Sequence, residues 1–230
     1  MPRDNVSASK IKEILNSKST FVFDFDGVLA DSSDIKTWAF GEIYKDYGEV
    51  VVQKVKNHHT QNGGVSRYDK FIHYHRAYLD IELDEIELEE ICNSFSKLVM
   101  GAVIKSPEIK GASKFLGKYC VNNKLSFINS ATPQSEIEKI ANKRQIDIYF
   151  ESIYGSPETK LQNLEKIFNN HNTSPSQTVF FGDALSDYDA AVKVGCNFIG
   201  IGNDIKSNLL GSGQILSKKI HFSKNFIELV

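Results

Sequence analysis

The sequence predicts an α/β protein: a doubly wound, mostly parallel sheet with a small all-helical unit inserted after its first strand. Three observations predict it. The apolar run Phe21-Val22-Phe23 breaks into Asp24-Phe25-Asp26-Gly27, so a short buried strand ends in polar residues. From Glu108 onward helical and strand-like patterns alternate, as they do where helices cover both faces of a parallel sheet. Between Ser33 and Ser106 no convincing strand interrupts a helical pattern.

The insert shows Ile35, Trp38, Ala39 and Ile43 on one stripe and Ile86, Ile91, Phe95, Leu98 and Val99 on another. The expected organisation is a core domain of residues 1–32 and 107–230 and a helical domain of residues 33–106. Pro107 and the chain around Asp31 mark the hinges. In the core, helices are expected near 108–121, 134–145, 158–170, 184–195 and 223–229. Strands are expected near 125–129, 149–150, 178–182 and 197–201, with Lys218-Lys219-Ile220-His221-Phe222 as a last edge strand. A sheet of this kind places its site beyond the carboxyl ends of the strands.

The polar residues at those ends carry the chemistry. In an extended segment residues i and i+2 point the same way, so Asp24 and Asp26 stand together, and Gly27 lets the backbone turn sharply. Two carboxylates so close repel each other and call for a cation. A hard divalent ion such as Mg2+ suits oxygen ligands and accepts a substrate phosphate into its shell. At the end of Leu125-Ser126-Phe127-Ile128-Asn129-Ser130, the Ser130 hydroxyl and the following backbone N–H groups, from Ala131 on, are placed to hold phosphate oxygens at a helix start. Lys160 falls in the first turn of a helix after Gly155-Ser156-Pro157-Glu158-Thr159, where a cation is disfavoured unless it has an anionic partner. Asp183 and Asp187 flank the turn after the strand Ser176–Phe181, one at its tip and one in the next helix, a spacing that brings both toward one metal. Asp189 is expected to face solvent.

With these motifs in this order, the chain resembles the haloacid dehalogenase superfamily of phosphohydrolases over nearly its whole length. The resemblance implies Asp24 as nucleophile, Asp26 as general acid/base, Ser130 as the second-motif hydroxyl and Lys160 as the third-motif cation. Asp183 and Asp187 become the fourth-motif acids, so that Asp24, Asp26, Asp183 and Asp187 are the expected metal residues and Mg2+ the expected cofactor. It also implies an aspartyl phosphate, with Asp26 held protonated to donate to the leaving alkoxide and then to deprotonate water. The insert resembles the helical cap found after the first motif in one branch of the superfamily. Dehalogenases and phosphonatases lack the acid corresponding to Asp26, which leaves a phosphatase or a phosphomutase.

Within the insert, Asn62-Gly63-Gly64-Val65-Ser66-Arg67 resembles the Gly-Val-Ser-Arg cap loop of beta-phosphoglucomutases, in which the Arg holds a distal phosphate. The alternative for the same residues is Ser66 capping a helix that begins near Tyr68, with Arg67 on its surface. Mutases carry a His just after the first motif where this chain has Lys36, which favours hydrolysis. Ser66, Arg67 and Lys36 are then the expected contacts to the far end of a small substrate such as phosphoglycolate or a sugar phosphate. A phosphomutase is the alternative function, and a catalytically inactive binding protein the non-enzymatic one. That last reading predicts loss of a catalytic group, and none is missing.

Length and composition agree with a soluble enzyme. The chain has 230 residues, a formal net charge of -2, 41% hydrophobic and 24% charged residues, and no apolar run long enough to span a bilayer. This balance offers no general attraction for nucleic acid or anionic membrane. The polar start is unlike a secretory signal. Cys92, Cys120 and Cys196 are expected to be reduced and buried in a cytoplasm. The pairs His58-His59 and His73/His75 lack the i, i+4 spacing of a helical metal site, so structural roles are expected. Phe71, Tyr74, Tyr78 and Leu79 read as the core of the insert or a dimer face, and oligomeric state stays open.

Overall fold

The computed structural model describes residues 3–121, 124–212 and 220–230. Strands β1 (Thr20–Phe23), β2 (Leu125–Pro133), β3 (Ser152–Ser156), β4 (Thr178–Gly182), β5 (Asn197–Ile201) and β6 (Ile220–Ser223) form one sheet, parallel throughout, in the order β3-β2-β1-β4-β5-β6. The order reverses around β1, whose Phe23 pairs with Ile128 on one side and Phe181 on the other. The crevice beside the carboxyl end of β1 is therefore the switch point at which sheets of this kind bind ligands.

Alternation along β1 explains why the sheet needs cover on both faces. Phe21 and Phe23 enter one apolar cluster and Val22 the other, and all three are completely buried. Phe23 stacks on Phe181 with ring centroids 4.6 Å apart, and Phe115 meets both edge-on. The covering helices are α1 (Arg3–Ser17), α6 (Ala112–Tyr119), α7 (Gln134–Lys143), α8 (Lys160–Asn170), α9 (Leu185–Val194) and α10 (Ile205–Gly211) once those of the insert are numbered α2 to α5.

The insert consists of α2 (Ser33–Ile43), α3 (Glu49–Gln61), α4 (Arg67–Tyr74) and α5 (Glu85–Lys105). Its helices close on an aromatic centre in which the Phe40 ring lies 4.4 Å from Phe95 and 5.3 Å from Phe71. Phe71 and Tyr74 are fully buried there, with Tyr78 and Leu79 packed at the margin. Ser66 caps α4, accepting a hydrogen bond from the Asp69 N–H at 3.3 Å. Asp84 and Glu87 form a capping box on α5. Trp38 and Ile86, expected on the apolar stripes, are largely exposed instead.

The two chain crossings between insert and sheet run side by side. The Asp31 N–H donates to Pro107 O at 2.9 Å, and the Ile109 N–H donates to Leu29 O at 3.2 Å. Arg144 at the end of α7 donates to the carbonyls of Val103, Ile104 and Ser106, satisfying the orphan groups at the carboxyl end of α5.

Several boundaries differ from expectation. The strand expected at 149–150 is β3, at Ser152–Ser156, because Asp147–Tyr149 tightens into a 3-10 turn first. Helix α1 was not expected; Ile11 and Leu15 bury a narrow stripe of an otherwise polar segment. The terminal helix shrinks to a 3-10 turn at Phe226–Leu229. The edge strand begins at Ile220, and Lys218 and Lys219 lie outside the described residues. The three cysteines are buried and none is joined to another by a disulfide, and no described helix is long and apolar enough to cross a membrane.

Candidate active site

The carboxyl ends of β1, β2 and β4 and the first turns of α8 and α9 bring Asp24, Asp26, Ser130, Lys160, Asp183 and Asp187 to one crevice. Asp24 is the first residue past β1. Its N–H bonds to Phe181 O at 2.9 Å, and its Oδ1 accepts from the Phe25 N–H at 2.7 Å. The backbone then turns at Gly27, which has φ +77° and presses so closely on Asp183 that a β-carbon there would overlap the carboxylate.

Lys160 is the first residue of α8, behind a capping box made by Thr159 and Gln162. Its ammonium lies 2.7 Å from Asp24 Oδ2 and also pairs with Asp187, and all three side chains are buried. The anionic partner that a first-turn lysine demands is thus a pair of carboxylates. Burial alone would lower the Lys160 pKa, but Asp187 and Asp24 raise it above its ordinary value.

Oxygens of Asp24, Asp183 and Asp187 lie within 4.8 Å of one another. Asp187 Oδ2 accepts from the N–H groups of Asp183 and Ala184 at 3.2 and 3.1 Å, which fixes its orientation at the start of α9. Three carboxylates against one ammonium leave two negative charges. Burial pushes Asp24 up to about 7 against the pull of Lys160, and burial with its acidic neighbours raises Asp183 well above the carboxylate range. An oxygen-only donor set with this surplus fits a hard divalent cation.

Asp26 stands apart from that cluster, although it was expected among the metal acids. β1 ends at Phe23, and the Asp26 carboxylate is not among those whose oxygens lie within 4.8 Å of one another, although Asp24 still feels its charge. The Asp26 carboxylate instead pairs with Lys36 and accepts from Ser32 Oγ at 2.5 Å and Thr132 Oγ1 at 3.2 Å. Burial would raise its pKa, but Lys36 and these hydrogen bonds outweigh burial and hold it below the usual value. In this arrangement the surroundings of Asp26 favour its ionised form; the protonated acid was expected with substrate bound.

Ser130 is buried, with its Oγ accepting from the Thr132 N–H at 3.1 Å, and Ala131 lines the crevice. Lys36 also donates to Thr132 Oγ1 at 2.9 Å. Thr132 was not singled out in the sequence, yet its place two residues beyond Ser130 in a strand was a usable signal.

Above these groups is a cavity of about 870 Å3 between sheet and insert. The Gly63-Gly64 turn reaches down to Ala184, Ser186 and Lys160. Arg67 lines the cavity but is already engaged: its two terminal nitrogens meet the Glu136 carboxylate at 2.9 and 2.7 Å, and Nη1 donates to Ser96 Oγ at 2.6 Å. It is neither a surface residue nor, in this structure, a free fork. Ser66 is engaged with Asp69 through its side chain. Lys36 sits on Asp26 rather than beside Arg67. Lys70, His59 and Glu136 were missed, because nothing in their local sequence distinguishes them from surface residues.

Acids, a lysine and hydroxyls thus gather at the switch point of a parallel sheet, where α/β proteins bind ligands. Residues 21–201 match the haloacid dehalogenase-like hydrolase family, and the chain belongs to that family. It is 24% identical over 191 residues to a phosphorylated carbohydrates phosphatase of Thermotoga maritima, covering 76% of this chain and 80% of that one. The fold is similar to that of a beta-phosphoglucomutase from Clostridium difficile, with TM-score 0.70, 18% identity and coverage of 88% and 92% of the two chains. A haloacid dehalogenase-like hydrolase from Streptococcus pneumoniae matches with TM-score 0.65, 19% identity and coverage of 91% and 95%.

Proposed function

We propose that the protein is a Mg2+-dependent phosphatase of small phosphorylated metabolites, of the sugar phosphate or phosphoglycolate type, acting through an aspartyl phosphate on Asp24. The observation that carries this reading is the grouping of Asp24, Asp183 and Asp187 around Lys160 at the end of β1. Asp24, Asp183 and Asp187 would hold the cation, which when bound supplies charge neutralisation of the phosphoryl group.

Asp24 then attacks phosphorus, and Lys160, the Ser130 hydroxyl and the Ala131 N–H stabilise the charge on the transferring oxygens. Asp26 is the general acid/base, and its resting pair with Lys36 gives it a proton to acquire before it can serve the leaving group. Residues 33–106 act as a cap over the core of residues 1–32 and 107–230, excluding bulk water from the intermediate. The chain's likeness to the Thermotoga phosphatase of phosphorylated carbohydrates supports a carbohydrate-type substrate. Buried cysteines without a disulfide suit a reducing cytoplasm.

The test is phosphate release from a panel of phosphorylated metabolites with and without Mg2+, beside the Asp24→Asn variant. Mg2+-dependent release that the variant lacks supports the reading. Isomerised sugar phosphate without net release would replace it by a phosphomutase. Absence of both reactions would overturn it.

A further inference from the structure

The cavity over the site is lined by cations that are unequal in their partners. Lys36 is paired with Asp26 and Arg67 with Glu136, while Lys160, buried outside the cavity lining, is paired with Asp24 and Asp187. Lys70 also lines the cavity and is 1% exposed, yet it has no carboxylate partner among the described residues. Its Nζ lies 2.8 Å from His59 Nδ1 and 3.5 Å from Gly63 O, both uncharged acceptors, and 5.5 Å from the centre of the Phe40 ring. His59 is itself buried, with its pKa pressed down to about 2 by burial and by Lys70, so it stays a neutral imidazole.

A buried ammonium without a counter-charge is costly, and the usual resolutions are loss of the proton or capture of an anion. The surroundings of Lys70 ease the first: burial, then Lys36 and Lys160, bring its pKa down to about 7, with only Asp26 opposing. Its position in the cavity provides for the second. The residue one turn earlier on α4, Arg67, would be the stronger anion receptor by its chemistry, but a bidentate carboxylate already fills its fork.

We infer that Lys70, positioned by His59, is the residue that selects substrates, by binding a second anionic group, carboxylate or phosphate, carried on the leaving alcohol. The inference rests on the phosphatase reading for its place in turnover, and deepens it by naming the substrate class. An incoming oxyanion supplies the missing counter-charge, and the amine takes up a proton as the anion binds. Phosphate esters of neutral alcohols leave the amine uncompensated.

The experiment compares 6-phosphogluconate with sorbitol 6-phosphate, which differ by a carboxylate in place of a terminal hydroxymethyl group. In the wild type kcat/KM should favour 6-phosphogluconate at least tenfold, and Lys70→Met should bring the ratio close to one. A ratio that survives in Lys70→Met, or that collapses in Arg67→Met instead, overturns the assignment. Calorimetry on the Asp24→Asn protein with Mg2+ provides a reading independent of turnover and of the folding of a Lys70 variant. At pH 8, 6-phosphogluconate should bind with uptake of close to one proton per site and sorbitol 6-phosphate with none; equal uptake, or binding of neither, overturns the inference. Lys70-dependent binding without hydrolysis in the wild type would sink the phosphatase reading alone. Hydrolysis without dependence on Lys70 would sink this inference alone.

Discussion

Gly64 lies so close against Ser186 that a methyl group at Gly64 would overlap the serine Oγ and come within 3.2 Å of Lys160 Nζ. The turn that leads into α4 is therefore seated directly on the first turns of α8 and α9. Ser186 Oγ is buried there without a hydrogen-bond partner among the described residues.

A side chain at position 64 should obstruct this seating without disturbing either hydrophobic cluster. Gly64→Val is expected to lower kcat/KM by about tenfold or more with little change in Tm, since a misplacement of about 1 Å can cost on the order of 100-fold in rate. In the milder Gly64→Ala, Ser186→Ala should restore part of the loss, because the overlapping atom is then gone. Steady-state kinetics on the single and double variants check this; equal damage in the double variant would remove Ser186 as the obstacle.

Glu136 and Arg67 join the insert to the sheet domain through a buried, bidentate pair that also engages Ser96. Removing one partner leaves the other charge buried and uncompensated, which costs about 3 kcal/mol in comparable pairs. Glu136→Ala is expected to lower stability by about that amount in chemical denaturation. Arg67→Met with Glu136→Met should recover much of it, since an apolar pair carries no desolvation cost.

Asp24→Asn should reduce turnover by at least about 1000-fold, the scale seen when an attacking group is removed. The fold should survive: three carboxylates crowd one ammonium at this point, and the substitution relieves repulsion from Asp183 and Asp187. Circular dichroism and thermal melting against the wild type separate the two effects. Loss of the native melt would mean that Asp24 is needed for folding.

Lys70 and His59 give the protein a defined pH response. Lys70 binds a proton near pH 7 when folded and near about 10.4 when unfolded, so between these values the unfolded chain holds more protons and stability rises with pH. The Lys70 contribution should rise by about 1 kcal/mol per pH unit in that window. Buried Tyr44 and the thiols of Cys92 and Cys120, whose pKa values burial raises, act in the opposite sense at alkaline pH. The difference between wild type and Lys70→Met isolates the lysine: it should grow in favour of the wild type from pH 7 to 9.5. His59 contributes stability that is complete above about 6.5 and lost as the pH falls toward its folded value of about 2. Acid unfolding of His59→Phe should therefore begin at lower pH than that of the wild type. Parallel curves would show that neither group titrates as its surroundings require.

The strands, the inserted helices and the acidic site were legible because their signals are local. Strand ends carrying Asp24, Ser130 and Asp183 announce themselves by a short apolar run that breaks into polar residues, and a first-turn Lys160 declares its need for an anion. What was misjudged depended on where the chain bends. The i, i+2 spacing placed the Asp26 carboxylate beside that of Asp24 beyond the strand end; in the structure, where the turn ends at Gly27, it is paired with Lys36, Ser32 and Thr132.

By itself the sequence determined the sheet, the helical insert and the identities of the groups brought together at the strand ends, since these follow from periodicity and from covalent spacing along single elements. Only the tertiary structure decided how those groups pair. Arg67 and Lys70 are three residues apart on one helix and look equally exposed in sequence. The first reaches a carboxylate from Glu136 on α7, while the second reaches only the neutral ring of His59 on α3. Charge partnership in a buried cavity is a property of which elements meet: residues 67 and 136 find each other only when the insert rests on the sheet, while residue 70 finds His59 within the insert.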